Sequence, residues 1–137
     1  MNTEIGTIVV GYLPTPEGTA ALEHAKQWAT ANSARLVVVN TGRQGDYSHP
    51  SFATAQDVDA IEAELTEAGL EHEVLQVTDG KSAGEVILRT AHTSSADLIV
   101  IGLRRRTPVG KLITGSTAQQ VLLDATCPVL AVKGVPS

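Results

Sequence analysis

Five apolar runs punctuate the 137-residue chain, at Thr7–Gly11, Leu36–Asn40, Glu73–Val77, Leu98–Gly102 and Val129–Lys133. Four are near-continuous in Val, Ile, Leu and Ala, without the in–out alternation of a strand that faces water on one side. Such runs predict parallel strands covered on both faces. The third, Glu73-Val74-Leu75-Gln76-Val77, is more polar and predicts an edge strand.

Helical spacing fills the intervals. Thr15-Pro16-Glu17 offers an N-cap, a first-turn proline and an acid for the helix dipole, ahead of Leu22, Ala25 and Ala29 with Trp28 beside them. A second helix carries Val58, Ile61, Leu65 and Ala68 and is closed by Gly69. Ser82-Ala83-Gly84-Glu85 reads as a capping box opening a third, with Ile87, Leu88 and Ala91 inward. The fourth starts near Gly115-Ser116-Thr117 and is expected to bury Ala118, Val121, Leu122 and Ala125. This β-α alternation implies right-handed crossovers and a doubly wound open sheet. Asn40–Ala53 is the one long irregular stretch, and its Gly42, Gly45 and Pro50 fit a surface loop near the strands' carboxyl ends.

The length fits one domain, taken as 1–137. With 42% hydrophobic, 18% charged and four aromatic residues, the core must come from aliphatic side chains. A net charge of −5 argues against general nucleic-acid affinity. The single Cys127 excludes an intramolecular disulfide and a cysteine-rich zinc site, and reads as a small packed residue at the start of the last strand. No apolar run reaches the ~20 residues a membrane span needs, and Met1–Gly6 lacks an export signal. Cytoplasmic placement is therefore expected.

Charge then singles out one connection. No acidic residue lies between Asp97 and Asp124, yet Arg104, Arg105, Arg106 and Lys111 do, four of the ten Lys and Arg residues. This stretch runs from the carboxyl end of a buried strand at Gly102 to the amino end of a helix at Ser116. Free amides, a positive dipole end and cationic side chains would converge there on an anion such as phosphate. Gly110 and Gly115 would allow close backbone approach, and Ser116 and Thr117 add hydroxyls. The bland alternative is solvated arginines and a Ser116 that only caps.

The same residues resemble a family. Gly102-Leu103-Arg104-Arg105, nine residues, then Gly115-Ser116 is similar to the universal stress protein nucleotide motif Gly-x2-Gly-x9-Gly-Ser/Thr. The opening IVVGY with its Pro/Thr/Glu turn and the closing CPVLAVK resemble the same family, over essentially the whole chain. The resemblance implies a five-stranded, Rossmann-like parallel sheet with helices on both faces, of the adenine nucleotide α-hydrolase-like type. It also implies a homodimer through the last strand, at Val129, Leu130, Ala131 and Val132, and ATP or another adenine nucleotide above the sheet, with Mg as a companion of ATP. Ile101 and Gly102 would then lie under ribose and phosphates, and Gly115, Ser116 and Thr117 would hold the phosphates. Tyr12 and Leu13 would take the adenine and ribose side, and Thr41 would flank the base.

Two departures from the pattern stand out. Arg105 replaces the motif's second glycine, and Leu13 stands where members often place an aspartate. The site could be narrowed to AMP, cyclic AMP or another anion, or be lost, or Arg105 could contact phosphate itself.

Other signals point elsewhere or nowhere. His24, His49, His72 and His92 lack metal spacing and read as surface residues. Asp57, Asp59, Glu62, Glu64 and Glu67 read as a solvated helix face. Gly110-Lys111 is followed by Leu112, so no phosphate-binding loop of the Gly-Lys-Ser/Thr type occurs. No carboxylate for a metal lies near the basic connection in sequence, which argues for a regulatory binder over an enzyme, with slow incidental hydrolysis still compatible. A flavodoxin-like carrier would use Thr15 and Thr19 for a flavin phosphate, but the aromatic residues to sandwich the ring are scarce. A receiver domain would need acids where Gly11-Tyr12-Leu13 stands. A dimeric interaction module with no ligand remains a third reading.

Overall fold

The computed structural model describes residues 5–12, 15–40, 55–76, 82–103 and 115–134, with backbone alone for 55–56 and 115–116. Five strands alternate with four helices: β1 Thr7–Tyr12, α1 Pro16–Asn32, β2 Arg35–Asn40, α2 Ala55–Glu67, β3 His72–Gln76, α3 Ala83–Thr93, β4 Leu98–Leu103, α4 Gly115–Asp124 and β5 Val129–Lys133. All pair in parallel in the order β3-β2-β1-β4-β5. That order differs from the 2-1-3-4-5 arrangement of flavodoxin-like and receiver-type sheets. The polar β3 occupies one edge, as its composition predicts.

The pleat sorts the strands' side chains between two cores. Ile8, Val10, Leu36, Val38 and Val100 face α1 and α2, while Val9, Val37, Val39, Ile99 and Ile101 face α3 and α4. With both faces covered, each central strand is apolar on both sides, which is why the runs lack alternation. On α1 the small Ala21, Ala25 and Ala29 are fully buried, so the helix lies close enough to touch β1, β2, β4 and β5.

Caps fix where helices begin and end. Thr15 Oγ1 accepts the Gly18 N–H at 3.1 Å, and Ser82 Oγ accepts the Glu85 N–H at 3.2 Å. Gly69, at φ +75°, ends α2 in a Schellman turn: Leu70 N–H donates to Leu65 O at 3.1 Å and Gly69 N–H to Thr66 O at 3.0 Å. At the sheet's amino end, Asp97 Oδ2 accepts from Gly6 and Thr7 N–H at 2.9 and 3.1 Å, tying the start of β1 to β4. Lys26 of α1 pairs with Glu64 of α2.

Several helix positions depart from expectation. Leu122 is 46% exposed and Leu123 82% exposed, because α4 packs through the Ala118–Val121 row and Leu122 lies a further 100° around the helix. Ala125 is half-buried just past the end of α4, and Ala68 is exposed just past the end of α2. Trp28 flanks the α1 stripe and stays 41% exposed.

Candidate functional site

The strand ladder opens at one place. β1 and β4 pair at Ile8↔Leu98, Val9↔Ile99 and Val10↔Val100, and there their pairing stops. On the outer sides it continues, to Tyr12↔Asn40 between β1 and β2 and to Leu103↔Lys133 between β4 and β5. Gly11 and Tyr12 therefore leave the ladder with Ile101, Gly102 and Leu103, which marks a candidate crevice at the carboxyl ends. It lies where the sheet's winding reverses, the place where doubly wound sheets receive ligands.

Each wall comes from identifiable residues. Asn40, only 1% exposed, donates from Nδ2 to the Tyr12 carbonyl at 2.9 Å and fixes the ends of β1 and β2. The Tyr12 side chain packs against the α1 and α2 core, with Thr19 influencing its hydroxyl. Burial foremost, then the carboxylates of Asp57 and Glu64, raise the phenol above its ordinary value against the lowering effect of Thr19. Tyr12 thus remains a neutral hydroxyl at physiological pH. Across the gap, Gly102 meets the first turn of α1: a Cβ there would drive into the Glu17 carbonyl, coming within 2.6 Å of its carbon. On the other face, a Cβ at Gly11 would come within 2.7 Å of Ile87 Cδ1, and Ile101 is 4% exposed beside it.

The helix amino ends at this edge differ in charge. The first turns of α1, α2 and α3 carry Glu17, Asp57 and Glu85, whereas α4 carries no acid in its first turn. The positive end of α4 therefore has no acid of its own first turn to offset it. Against α4 rests the amino turn of α3: Ser82 Oγ donates to Gln120 Oε1 at 3.3 Å, and a Cβ on Gly84 would lie 2.9 Å from Gln120 Cδ.

Of the residues singled out from sequence, Tyr12, Ile101, Gly102 and the Gly115-Ser116-Thr117 helix start flank this end of the sheet. Leu13, Thr41, Arg104, Arg105, Arg106, Gly110 and Lys111 lie outside the described residues. Sequence reading missed two contributors. Asn40 carried a signal, being a polar residue closing an apolar run. Glu17 carried none for its contact with Gly102, which comes from how α1 lands on the sheet. Along β5, Val129, Leu130 and Ala131 are half-buried at the sheet edge, while Val132 is 7% exposed within its own core.

A cavity of about 220 Å³ lies at the opposite, amino end of the sheet, bordered by Ala91, His92, Ile99, Asp124 and Cys127. Burial first, and Asp97 second, raise the Cys127 thiol above its ordinary value, which suits a packing role. His72 is half-buried, with Nδ1 2.9 Å from Leu70 O, where a surface residue was expected. Among the described residues no group of three or more His, Cys, Asp or Glu could hold a metal, and no helix is long and apolar enough to cross a membrane.

Strand order, two covered faces and a crevice at the winding reversal define a doubly wound α/β protein of the kind that holds ligands beyond its strands' carboxyl ends. The universal stress protein family model matches residues 4–133, and the chain belongs to that family. A universal stress protein of Mycolicibacterium smegmatis is 42% identical over 126 residues, 92% of this chain and 96% of that one. A universal stress protein structure from Archaeoglobus fulgidus, 28% identical, matches with a TM-score of 0.68 over 94% of this chain and 98% of that one. Another from the same organism, in complex with dAMP, is 21% identical with a TM-score of 0.66, covering 96% and 100%. A universal stress protein in complex with cAMP, 20% identical, reaches 0.68 over 96% and 99%. An Arabidopsis thaliana member with AMP bound, 14% identical, reaches 0.65 over 95% and 92%.

Proposed function

We propose that residues 1–137 form one regulatory universal stress protein domain that binds an adenine nucleotide in the crevice between β1 and β4. The observation that carries this reading is the parting of β1 from β4 beyond Val10 and Val100, at the same edge as the acid-free amino end of α4. The sequence adds four cationic residues between β4 and α4, all in the connection leading into that helix start. Amides of the α4 start at Gly115, Ser116 and Thr117 take the phosphates, with Arg104, Arg105, Arg106 and Lys111 as cationic partners. The base lies toward Tyr12, Leu13 and Thr41, with ribose and phosphates over Ile101 and Gly102, and Gly110 as a residue that allows close backbone approach to the ligand. Relatives of this fold solved with dAMP, cAMP and AMP support a nucleotide of that size. ATP with Mg is the larger alternative, with Arg105 at the motif's second glycine deciding between them. The protein works in the cytoplasm as a binder and not as a dedicated enzyme.

Denaturing the purified protein and chromatographing the released small molecules, then titrating AMP, cAMP and ATP by calorimetry, tests the reading. An adenine nucleotide in the extract or a saturable heat is expected. No release and no heat with any of the three would overturn it.

A dimeric interaction module is the second reading, favoured by the β5 edge. One side of β5 is unpaired within the sheet, Val129, Leu130 and Ala131 are half-exposed, and Leu122 and Leu123 of α4 are exposed. An open strand edge with few charges suits pairing with a second copy. Sedimentation equilibrium is expected to give a homodimer, and a monomer at micromolar concentration would exclude it.

A further inference from the structure

Gly134, the residue after β5, is buried, and a Cβ added to it would come 3.0 Å from the Glu17 nitrogen and 3.2 Å from its Cα. On the neighbouring strand, a Cβ on Gly102 would meet the carbonyl carbon of the same Glu17 at 2.6 Å. Two glycines, one in β4 and one just past the end of β5, therefore hold up the backbone of one residue in the first turn of α1. Backbone cannot swing aside as a long side chain does, so either added Cβ forces the helix start to move.

That start stands beside the crevice. The chain leaves β1 at Tyr12, on one side of the gap, and by Glu17 it rests on β4 and the end of β5, on the other. Thr15 fixes this helix start by accepting the Gly18 N–H on Oγ1 and the Thr19 N–H on its carbonyl, at 3.1 and 2.8 Å.

We propose that Gly134 is a positioning residue for the crevice: with Gly102 it seats Glu17 and so sets how far the amino turn of α1 stands over the gap between β1 and β4. The seat stands on the glycine geometry alone, and its effect on a ligand rests on the nucleotide reading above. Because Gly134 directly follows the edge strand, the same contact ties β5 to the crevice wall.

Two measurements on Gly134→Ala, Gly102→Ala and a control, Ile61→Val on α2, test this. Ile61 packs in the same core but makes no part of the seat. Amide hydrogen exchange at Gly18 and Thr19 is expected to quicken roughly tenfold in Gly134→Ala and further in Gly102→Ala, with little change in the control. AMP titration is expected to weaken about three- to tenfold in Gly134→Ala, beyond any change in the control. Unaltered exchange at Gly18 and Thr19 in Gly134→Ala overturns the seat. Quickened exchange with AMP affinity equal to the control's overturns the positioning role. Should the wild type bind no adenine nucleotide, the nucleotide reading fails and the seat is judged on exchange alone. If Gly102→Ala fails to fold, Gly134→Ala, which asks the helix to give only a few tenths of an ångström, carries both readings.

Discussion

The side-chain amide of Asn40 donates to the main-chain carbonyl of Tyr12 at 2.9 Å, joining the last residues of β2 and β1 where the crevice begins. Asn40 is the one buried polar residue among those described, and the bond holds the end of β1 to β2 after its pairing with β4 has stopped. Replacing it by a leucine of similar size leaves the carbonyl without that donor. Asn40→Leu should lose about 1–3 kcal/mol in urea denaturation. Asn40→Asp should lose more at neutral pH, since a carboxylate cannot donate and would be buried against a carbonyl oxygen. An unchanged midpoint in Asn40→Leu would mean that the bond contributes nothing to the fold.

Gly69 offers a cleaner backbone test. Its φ of +75° lies in the left-handed region, and no neighbour stands within 4 Å of an added Cβ. Any penalty in Gly69→Ala is therefore conformational and not steric crowding. About 1 kcal/mol of destabilisation is expected, with the m-value unchanged. A neutral or stabilising alanine would show that the Schellman turn relaxes freely.

Three titrating groups share one sign. The thiol of Cys127 and the phenol of Tyr12 are both raised chiefly by burial, from ordinary values of 9.0 and 10.0. The Lys26 ammonium is raised from 10.5, chiefly by its hydrogen bond to Glu64. In each case the folded protein keeps a proton that the unfolded chain releases first. Stability is then full below the unfolded value and falls as pH climbs toward the folded one. Denaturation midpoints should hold through neutral pH and decline above about 9, with Cys127→Ala delaying the onset and Tyr12→Phe flattening the later part. A midpoint that rises with alkalinity would contradict all three assignments.

Much of this architecture is legible in the residues, for physical reasons. The strands buried on both faces announce themselves as unbroken aliphatic runs, and Thr15, Gly69 and Ser82 mark helix ends because their chemistry is local. β3 reads as an edge through Glu73 and Gln76 and proves to be one. Facing is harder on a ten-residue helix covered from one side, where Val121 is buried and its neighbour Leu122 is not. Asn40, Glu17 and Gly134 acquire their roles from the closure of strands and the landing of α1, which no local pattern encodes. For the site, the helix start at Gly115 was readable from the motif, whereas the parting of β1 from β4 is a property of the assembled sheet.

The amino end of α4 allows affinity and stability to be driven apart. An acid in a helix's first turn stabilises the helix by about 0.3–1 kcal/mol through the dipole, as Glu17, Asp57 and Glu85 are placed to do in the other three. The same charge repels a phosphate at that spot. Gly115→Asp should therefore leave thermal stability equal or higher while weakening adenine-nucleotide binding by about tenfold or more, read by calorimetry. Arg105→Gly separates two roles for the arginine at the motif's second glycine. Affinity shifting toward ATP relative to AMP means that the side chain obstructs a triphosphate, and weaker binding of both means that it grips phosphate directly. If Gly115→Asp lost stability and kept its nucleotide affinity, the positive end of α4 would not be where the anion sits, and the crevice would need another phosphate anchor.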